Sequence, residues 1–287
     1  IVAVDPRDGR ILAMASSPRF DPNLFSRTIS AREWGELINN PSRPLMNRCI
    51  QTMQPPGSTY KLITAAAALS EKEITPESAF FCSGSLNFGT RAYRCWRKAG
   101  HGTVALERGI VESCDVYFYQ LGIMLGPDRI ARYARGFGLG DLTGIGLDEE
   151  KRGLIPTSDW YQRRYGIPWQ RGESLSIAIG QGANLVTPLQ LVMAYASLAN
   201  GGKLYQPFFV ERVETADGKL VNRISPQVRG NLPLASETIK RLKECLFKVV
   251  NTPSGTGPRA QIPGGDVCGK TGTAQVINLG RDSRSPR

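Results

Sequence analysis

The 287-residue sequence predicts an α+β fold in which strands and helices are segregated along the chain. Three observations carry that prediction. A turn sequence, Pro6-Arg7-Asp8-Gly9, separates two short apolar stretches at the start; helical patterns cluster in the middle; a strand-like run, Val267–Val276, comes last. The order does not alternate as a parallel, doubly wound sheet requires. No Gly-x-Gly-x-x-Gly opens a helix after a strand, which argues against a dinucleotide site.

Taken in order, Ile1–Asp5 and Arg10–Ser16 flank the turn and predict a β-hairpin. Residues 17–57 are rich in Pro, Asn and Ser and predict irregular connections, with one short helix near Ala31–Ile38. Gln54-Pro55-Pro56-Gly57 then gives way abruptly to Ser58–Leu69, whose alanines and leucines predict a helix. Residues 76–103 predict a long loop holding several glycines. Helical patterns return at about 104–114, 127–136, 187–200 and 236–250. The third of these opens on Thr187-Pro188 as cap and first helical position, and closes at Asn200-Gly201-Gly202. No internal repeat or low-complexity tract is present.

Composition sets the outer bounds. A hydrophobic content of 41% is ordinary for globular protein, and a chain of this length buries a core without staples. No run approaches the roughly 20 apolar residues of a membrane span; the nearest, Leu185–Ala199, is interrupted by Pro188, Gln190 and Ser197. Ile1-Val2-Ala3-Val4-Asp5 reads as the middle of a strand, not a signal peptide. The expectation is therefore a segment of a longer protein, with any anchor or targeting signal outside it. Lys and Arg exceed Asp and Glu, 36 to 25, for a net charge of +11. The basic residues are scattered and no aromatics are interleaved at a base-stacking rhythm. An anionic polymer or lipid head groups suit this surface as well as nucleic acid does.

Ser58 and Lys61 stand three apart at a predicted helix start, so their side chains share one face. A serine hydroxyl attacks only once a base takes its proton, and the chain's single histidine, His101, leaves one conventional candidate. A neutral lysine can do the same work, and free amides at a helix N-terminus favour a developing oxyanion. Alone, Ser-x-x-Lys also fits a cap followed by a surface lysine. It is joined in order by Ser113-Cys114-Asp115 and by Lys270-Thr271-Gly272 in a strand context. Ser-x-x-Lys, a Ser-Asp-Asn-type triplet and Lys-Thr-Gly together mark penicillin-binding proteins and serine β-lactamases, although the middle triplet here is Ser-x-Asp.

The surroundings narrow the match. Gln54–Lys61, Val4–Met14, Phe20-Asp21-Pro22-Asn23, Ser113–Gln120 and Ile179-Gly180-Gln181-Gly182 before Thr187-Pro188 resemble the class B, monofunctional penicillin-binding proteins. The Ser-x-Asp triplet and Pro168-Trp169 resemble the elongation-type branch, penicillin-binding protein 2, more than the division enzyme. The resemblance runs through nearly all of the chain. It implies the transpeptidase fold shared with serine β-lactamases, an antiparallel sheet flanked by helices with a helical subdomain at roughly 62–200. It implies a domain over 1–287 that is truncated at both ends, with two further strands and a helix expected after the Lys-Thr-Gly strand. It further implies a peptidoglycan D,D-transpeptidase of cell elongation that β-lactams acylate.

Residue by residue, the resemblance makes Ser58 the nucleophile, Lys61 its base, Ser113 the proton shuttle to the leaving amine and Asp115 the group that orients Lys61. Lys270 and Thr271 bind the terminal carboxylate of a D-Ala-D-Ala stem peptide, Gly272 lets that strand lie close against the substrate, and the amides of Ser58 and Thr273 form the oxyanion hole. Implied partners are peptidoglycan stem peptides, β-lactam antibiotics, a SEDS-family glycosyltransferase and elongation-complex proteins. The implied location is the periplasmic side of the bacterial inner membrane. A β-lactamase or a non-enzymatic β-lactam receptor shares the fold; the wide interval from Ser113 to Lys270 argues against the first.

Six cysteines occur, with no Cys-x-x-Cys pair. Cys82, Cys95, His101 and Cys114 form a set of thiols and one imidazole suited to tetrahedral zinc, at spacings wider than in a zinc finger. Elongation-type relatives resemble this chain in carrying Asp or Cys and a His in the loop matching Tyr93–Gly102. Structural zinc, a disulfide in an oxidising periplasm and unconnected thiols all remain open on sequence alone. The acyl-transfer chemistry itself needs no cofactor.

Overall fold

The computed structural model describes residues 1–273. In chain order these form β1 (Val2–Val4), β2 (Ile11–Met14), α1 (Ala31–Ile38), α2 (Arg48–Gln51), α3 (Lys61–Ser70), β3 (Phe80–Cys82), β4 (Ser85–Phe88), β5 (Arg91–Arg94), β6 (Gly102–Val104), α4 (Leu106–Val111), α5 (Asp115–Gly136), α6 (Ser158–Tyr165), α7 (Arg171–Ala178), α8 (Pro188–Ala199), β7 (Lys203–Tyr205), β8 (Arg212–Glu214), β9 (Leu220–Arg223), β10 (Val228–Asn231) and α9 (Ser236–Asn251). The described strands pair as separate two-stranded antiparallel ribbons, β1 with β2, β3 with β6, β4 with β5, β7 with β10 and β8 with β9.

Two compact units result, each assembled from separated stretches of chain. One comprises Ile1–Met53, Phe137–Gly153 and Val186–Leu232. Its opening hairpin is closed by Asp5, whose carboxylate accepts the Arg7 backbone N–H at 3.0 Å and Arg7 Nε at 2.9 Å. That guanidinium holds the Asp5 carboxyl well below the usual carboxylate range. Cys49, Ile50, Ile145, Leu189 and Met193 form a core beneath the hairpin. Here α8 begins as its sequence requires: Thr187 Oγ1 accepts the Gln190 N–H, and Gln190 Oε1 accepts the Thr187 N–H at 3.0 Å.

The other unit comprises Gln54–Gly136, Leu154–Leu185 and the chain from Pro233 onward. Its centre is α3, where Leu62, Ile63 and the Ala65–Ala68 run are each at most 2% exposed. Burying Leu62 and Ile63 contributes roughly 1.5–3 kcal/mol apiece, and the alanines let α5 and α9 pack close. In turn α5 packs on α7. A β-carbon on Gly122 would stand 2.5 Å from the Ser174 carbonyl oxygen, so that approach needs glycine. The long helix α5 breaks at Gly126 (φ 69°), and Pro127 starts its second half, where a missing N–H costs nothing.

Four differences from the sequence expectation have physical causes. Residues 76–103 are not a plain loop but carry β3, β4, β5 and most of β6. These strands are too short, at 3 or 4 residues, for a period-two pattern to register. Residues 115–125 are helical although Val116–Tyr119 is a weak helix-former; burial of Tyr117, Phe118 and Leu121 overrides propensity. Both α6 and α7 went unpredicted, the first because its sequence is polar almost throughout. Finally, the run expected to be a strand, Val267–Val276, carries no ladder over its described part, 267–273. No described strand pairs with it. Its backbone is held by side chains and α9 instead: Asn251 Nδ2 donates to the Val267 carbonyl and the Gly269 N–H to that of Leu246. Positions 274–276 lie outside the described residues.

Candidate active site

Pro55-Pro56-Gly57 brings the chain into a tight 3-10 turn, Gly57–Tyr60, that runs straight into α3. Gly57 has φ 58°, and a β-carbon there would stand 2.3 Å from the Thr273 carbonyl oxygen. Its N–H donates to the Gly180 carbonyl at 2.9 Å. No other residue fits at that crossing of three backbones. The crossing leaves Ser58 half-buried on the wall of a cleft of about 680 Å³, with Ser113, Asp115, Thr271 and Thr273 on the same lining.

One turn along, Lys61 is fully buried. Its Nζ donates to Asp115 Oδ1 at 2.7 Å, to the Ser113 carbonyl at 2.9 Å and to Ser113 Oγ at 3.2 Å. The Phe118 ring closes the pocket with its centroid 5.5 Å from Nζ. Asp115 sits at the first position of α5, and its second oxygen, Oδ2, accepts the Trp96 backbone N–H at 2.9 Å. Both carboxylate oxygens are thus committed. Ser113 adopts φ 54°, a left-handed conformation that few residues with a β-carbon take, and this turn presents its hydroxyl to Lys61.

Lys270 reaches the same neighbourhood from the far end of the chain. It keeps some solvent contact, yet burial of its ammonium, reinforced by the Lys61 cation and opposed by Asp115, pushes its pKa down to about 7. Its Nζ stands 3.3 Å from the Thr271 carbonyl oxygen. Thr271 Oγ1 meets Thr256 Oγ1 at 2.8 Å, and Gln181 Nε2 donates to the Thr273 carbonyl at 3.1 Å. Gly272 also lies close to the Ser58 turn, since a β-carbon there would stand 3.0 Å from Thr59 Cγ2.

A serine at a helix start, a buried lysine one turn on, a Ser-x-Asp turn and a Lys-Thr-Gly segment therefore share one cleft. The family model of the penicillin-binding protein transpeptidase domain matches residues 1–285. The chain belongs to that family. Among members of the penicillin-binding transpeptidase family, the peptidoglycan D,D-transpeptidase MrdA of Haemophilus influenzae is 39% identical over 284 residues, 97% of this chain. The chain spans 43% of that relative's length. The crystal structure of Pseudomonas aeruginosa PBP2 in complex with WCK 5153 matches with a TM-score of 0.86 at 35% identity, over 96% of this chain and 60% of that one. Helicobacter pylori PBP2 in its complex with MreC matches with a TM-score of 0.84 at 31% identity, over 96% of this chain and 50% of that one.

Beside the cleft of this penicillin-binding domain, Cys82, Cys95, His101 and Cys114 converge. All four are buried, and their ligand atoms lie within 4.8 Å of one another. His101 Nδ1 is 3.6 Å from Cys82 Sγ and 3.5 Å from Cys95 Sγ. Tetrahedral zinc, with Zn–S about 2.3 Å and Zn–N about 2.0 Å, sets an S···N separation of roughly 3.5 Å. The donor set and these two separations fit such an ion. The neighbouring Cys114 thiol, hydrogen bonded to Cys95, favours the Cys95 thiolate.

Several cleft residues carried no role in the sequence reading: Arg94, Trp96, Tyr119 and the loop Ser254-Gly255-Thr256. Arg94 and Trp96 flank Cys95, so proximity to the thiol set was their one available signal. The Ser254–Thr256 loop offered none, because only folding brings it to Thr271.

Proposed function

We propose that this chain is the transpeptidase domain of a serine peptidoglycan D,D-transpeptidase of the cell-elongation type, acylated by β-lactams. The observation that carries the reading is the fully buried Lys61, held between Asp115 Oδ1 and Ser113 Oγ one turn from a cleft-lining Ser58. In this reading Ser58 Oγ adds to the carbonyl carbon of the penultimate D-alanine of a stem peptide while Lys61 takes its proton. The oxyanion rests on the Ser58 and Thr273 amides. Among the Lys61 acceptors, Ser113 Oγ is the one that can pass a proton on. It delivers that proton to the departing amine as the C–N bond breaks and terminal D-alanine leaves. An acceptor amine then attacks the ester carbonyl, forming the cross-link and returning the proton to Ser58. Lys270 and Thr271 engage the terminal carboxylate, and Asp115 orients Lys61.

The same reading assigns structural zinc to Cys82, Cys95, His101 and Cys114, where it would pin the β3–β6 region to the Ser113-x-Asp115 turn and take no part in acyl transfer. It places the domain on the periplasmic face of the bacterial inner membrane, with a SEDS-family glycosyltransferase and elongation proteins as partners. Support for partners comes from the Helicobacter pylori relative, solved with MreC. Among the described residues no helix is long and apolar enough to cross a membrane.

Two measurements on the full-length protein test the reading. The benzylpenicillin acyl-enzyme should persist for many catalytic lifetimes of a lactamase, and a peptide donor should be transferred to an amine acceptor. Rapid hydrolysis of the adduct would make the protein a β-lactamase; a stable adduct without transfer would make it a receptor.

A further inference from the structure

We propose that Trp96 is a positioning residue for acylation, clamping the turn that carries Ser113 against the carboxylate of Asp115. The inference rests on the acyl-transfer reading of Ser58, Lys61 and Ser113. Trp96 reaches across from a remote part of the chain and holds both ends of the short segment Glu112–Asp115. Its backbone N–H donates to Asp115 Oδ2 at 2.9 Å, and its indole Nε1 donates to the carbonyls of Glu112 and Ser113, each at 3.1 Å. The Ser113 carbonyl is the same oxygen that accepts Lys61 Nζ at 2.9 Å.

The turn needs such a clamp. Ser113, at φ 54°, holds a conformation that persists only where its surroundings over-determine it. The described surroundings are its own N–H bond to the Ile110 carbonyl, the Lys61 ammonium and the Trp96 indole. The lysine is the group that has to trade its proton, so the indole is the contact that stays unchanged through the reaction. Trp96 is held on its other side by the fold: it follows buried Cys95 in the chain, and its ring meets His101 edge-on at 5.5 Å between centroids. The residue is not core packing: it is 58% exposed and lines the cleft. A tryptophan kept there for packing alone would bury more of itself. Its indole N–H is directed at the Ser113 turn.

Trp96→Phe keeps the backbone N–H and an aromatic ring but removes the indole donor, leaving the Glu112 and Ser113 carbonyls one partner short. Stopped-flow acylation of the full-length protein by benzylpenicillin separates the acylation rate constant k2 from the dissociation constant Ks of the first complex. The expected result is a fall in k2 of about tenfold, equivalent to about 1.4 kcal/mol, with Ks unchanged. Incorporating 3-benzothienylalanine at position 96 keeps the ring's size and removes only the donor, so it should reproduce the loss. If the phenylalanine variant does not fold, this second variant decides. A k2 close to that of the unmodified protein would overturn the proposal. So would a raised Ks with k2 preserved, which would make Trp96 a ligand contact. Absence of acylation in the unmodified protein would instead strike the underlying functional reading and remove the proposal with it.

Discussion

Lys61 and Lys270 are the same residue type in one site, and their surroundings ask different things of them. Lys61 is sealed from solvent, with its ammonium hydrogen bonded to Ser113 and Asp115. Lys270 stands at the cleft's edge beside Thr271 with a pKa pushed down to about 7. Lys61→Arg keeps a charge that cannot be given up near neutral pH, so acylation should fall by roughly 10²–10⁴-fold, the usual contribution of a positioned base. Lys270→Arg should cost far less, because its assigned task is to hold a carboxylate. The pH dependence separates the two further. Lys270 is an ammonium below its pKa, so recognition of the substrate carboxylate is strong in mild acid and is lost as pH rises through about 7. Arginine stays protonated, so k2/Ks for benzylpenicillin in Lys270→Arg should lose that descending limb. Equal losses from both variants, or an unchanged limb, would show that the roles are misassigned. Sequence order alone brought Ser58, Lys61, Ser113 and Asp115 forward, because they belong to short motifs with fixed internal spacing. Trp96 and Gln181 act through carbonyl groups of distant residues, and no spacing rule announces such contacts.

Helix α5 is the element on which the site depends, since it begins at Asp115 and buries its body between α3 and α7. One close approach is at Gly122, where a β-carbon would stand 2.5 Å from the Ser174 carbonyl oxygen and 2.7 Å from Ala178 Cβ. In an unhindered helix Gly→Ala would gain up to about 1 kcal/mol. Here overpacking against backbone costs roughly 1–3 kcal/mol, enough to outweigh that gain, so Gly122→Ala should lower the thermal midpoint. A raised midpoint would contradict the α5–α7 contact. At this scale legibility in the sequence followed element length and punctuation. The twelve residues of α8 come with a Thr-Pro start and an Asn-Gly-Gly end, and α9 runs for sixteen amphipathic residues; both were readable. The three- and four-residue strands around the thiol set were not. Their partners are fixed by turns at Gly84, Gly89 and Gly100, not by a hydrophobic period.

Across the whole molecule, every described residue of the candidate site, and all four members of the thiol–imidazole set, fall within the unit that begins at Gln54. Protein purified without added metal should contain close to one zinc per chain. Chelation should loosen the 80–104 region in hydrogen exchange and slow acylation, since structural zinc can contribute on the order of 10 kcal/mol to folding. Substoichiometric zinc together with freely titratable thiols at Cys82, Cys95 and Cys114 would exclude the metal. In the proposed mechanism a single serine, Ser58 in the turn that leads into α3, takes the acyl group. Intact-protein mass after benzylpenicillin treatment tests it directly. The expected result is one adduct, mapped to Ser58, and none in Ser58→Ala, which should remain folded because Ser58 is the side-chain cap of neither the Gly57–Tyr60 turn nor α3. Stoichiometric labelling of the folded alanine variant, or an adduct mapped to a different residue, would contradict it.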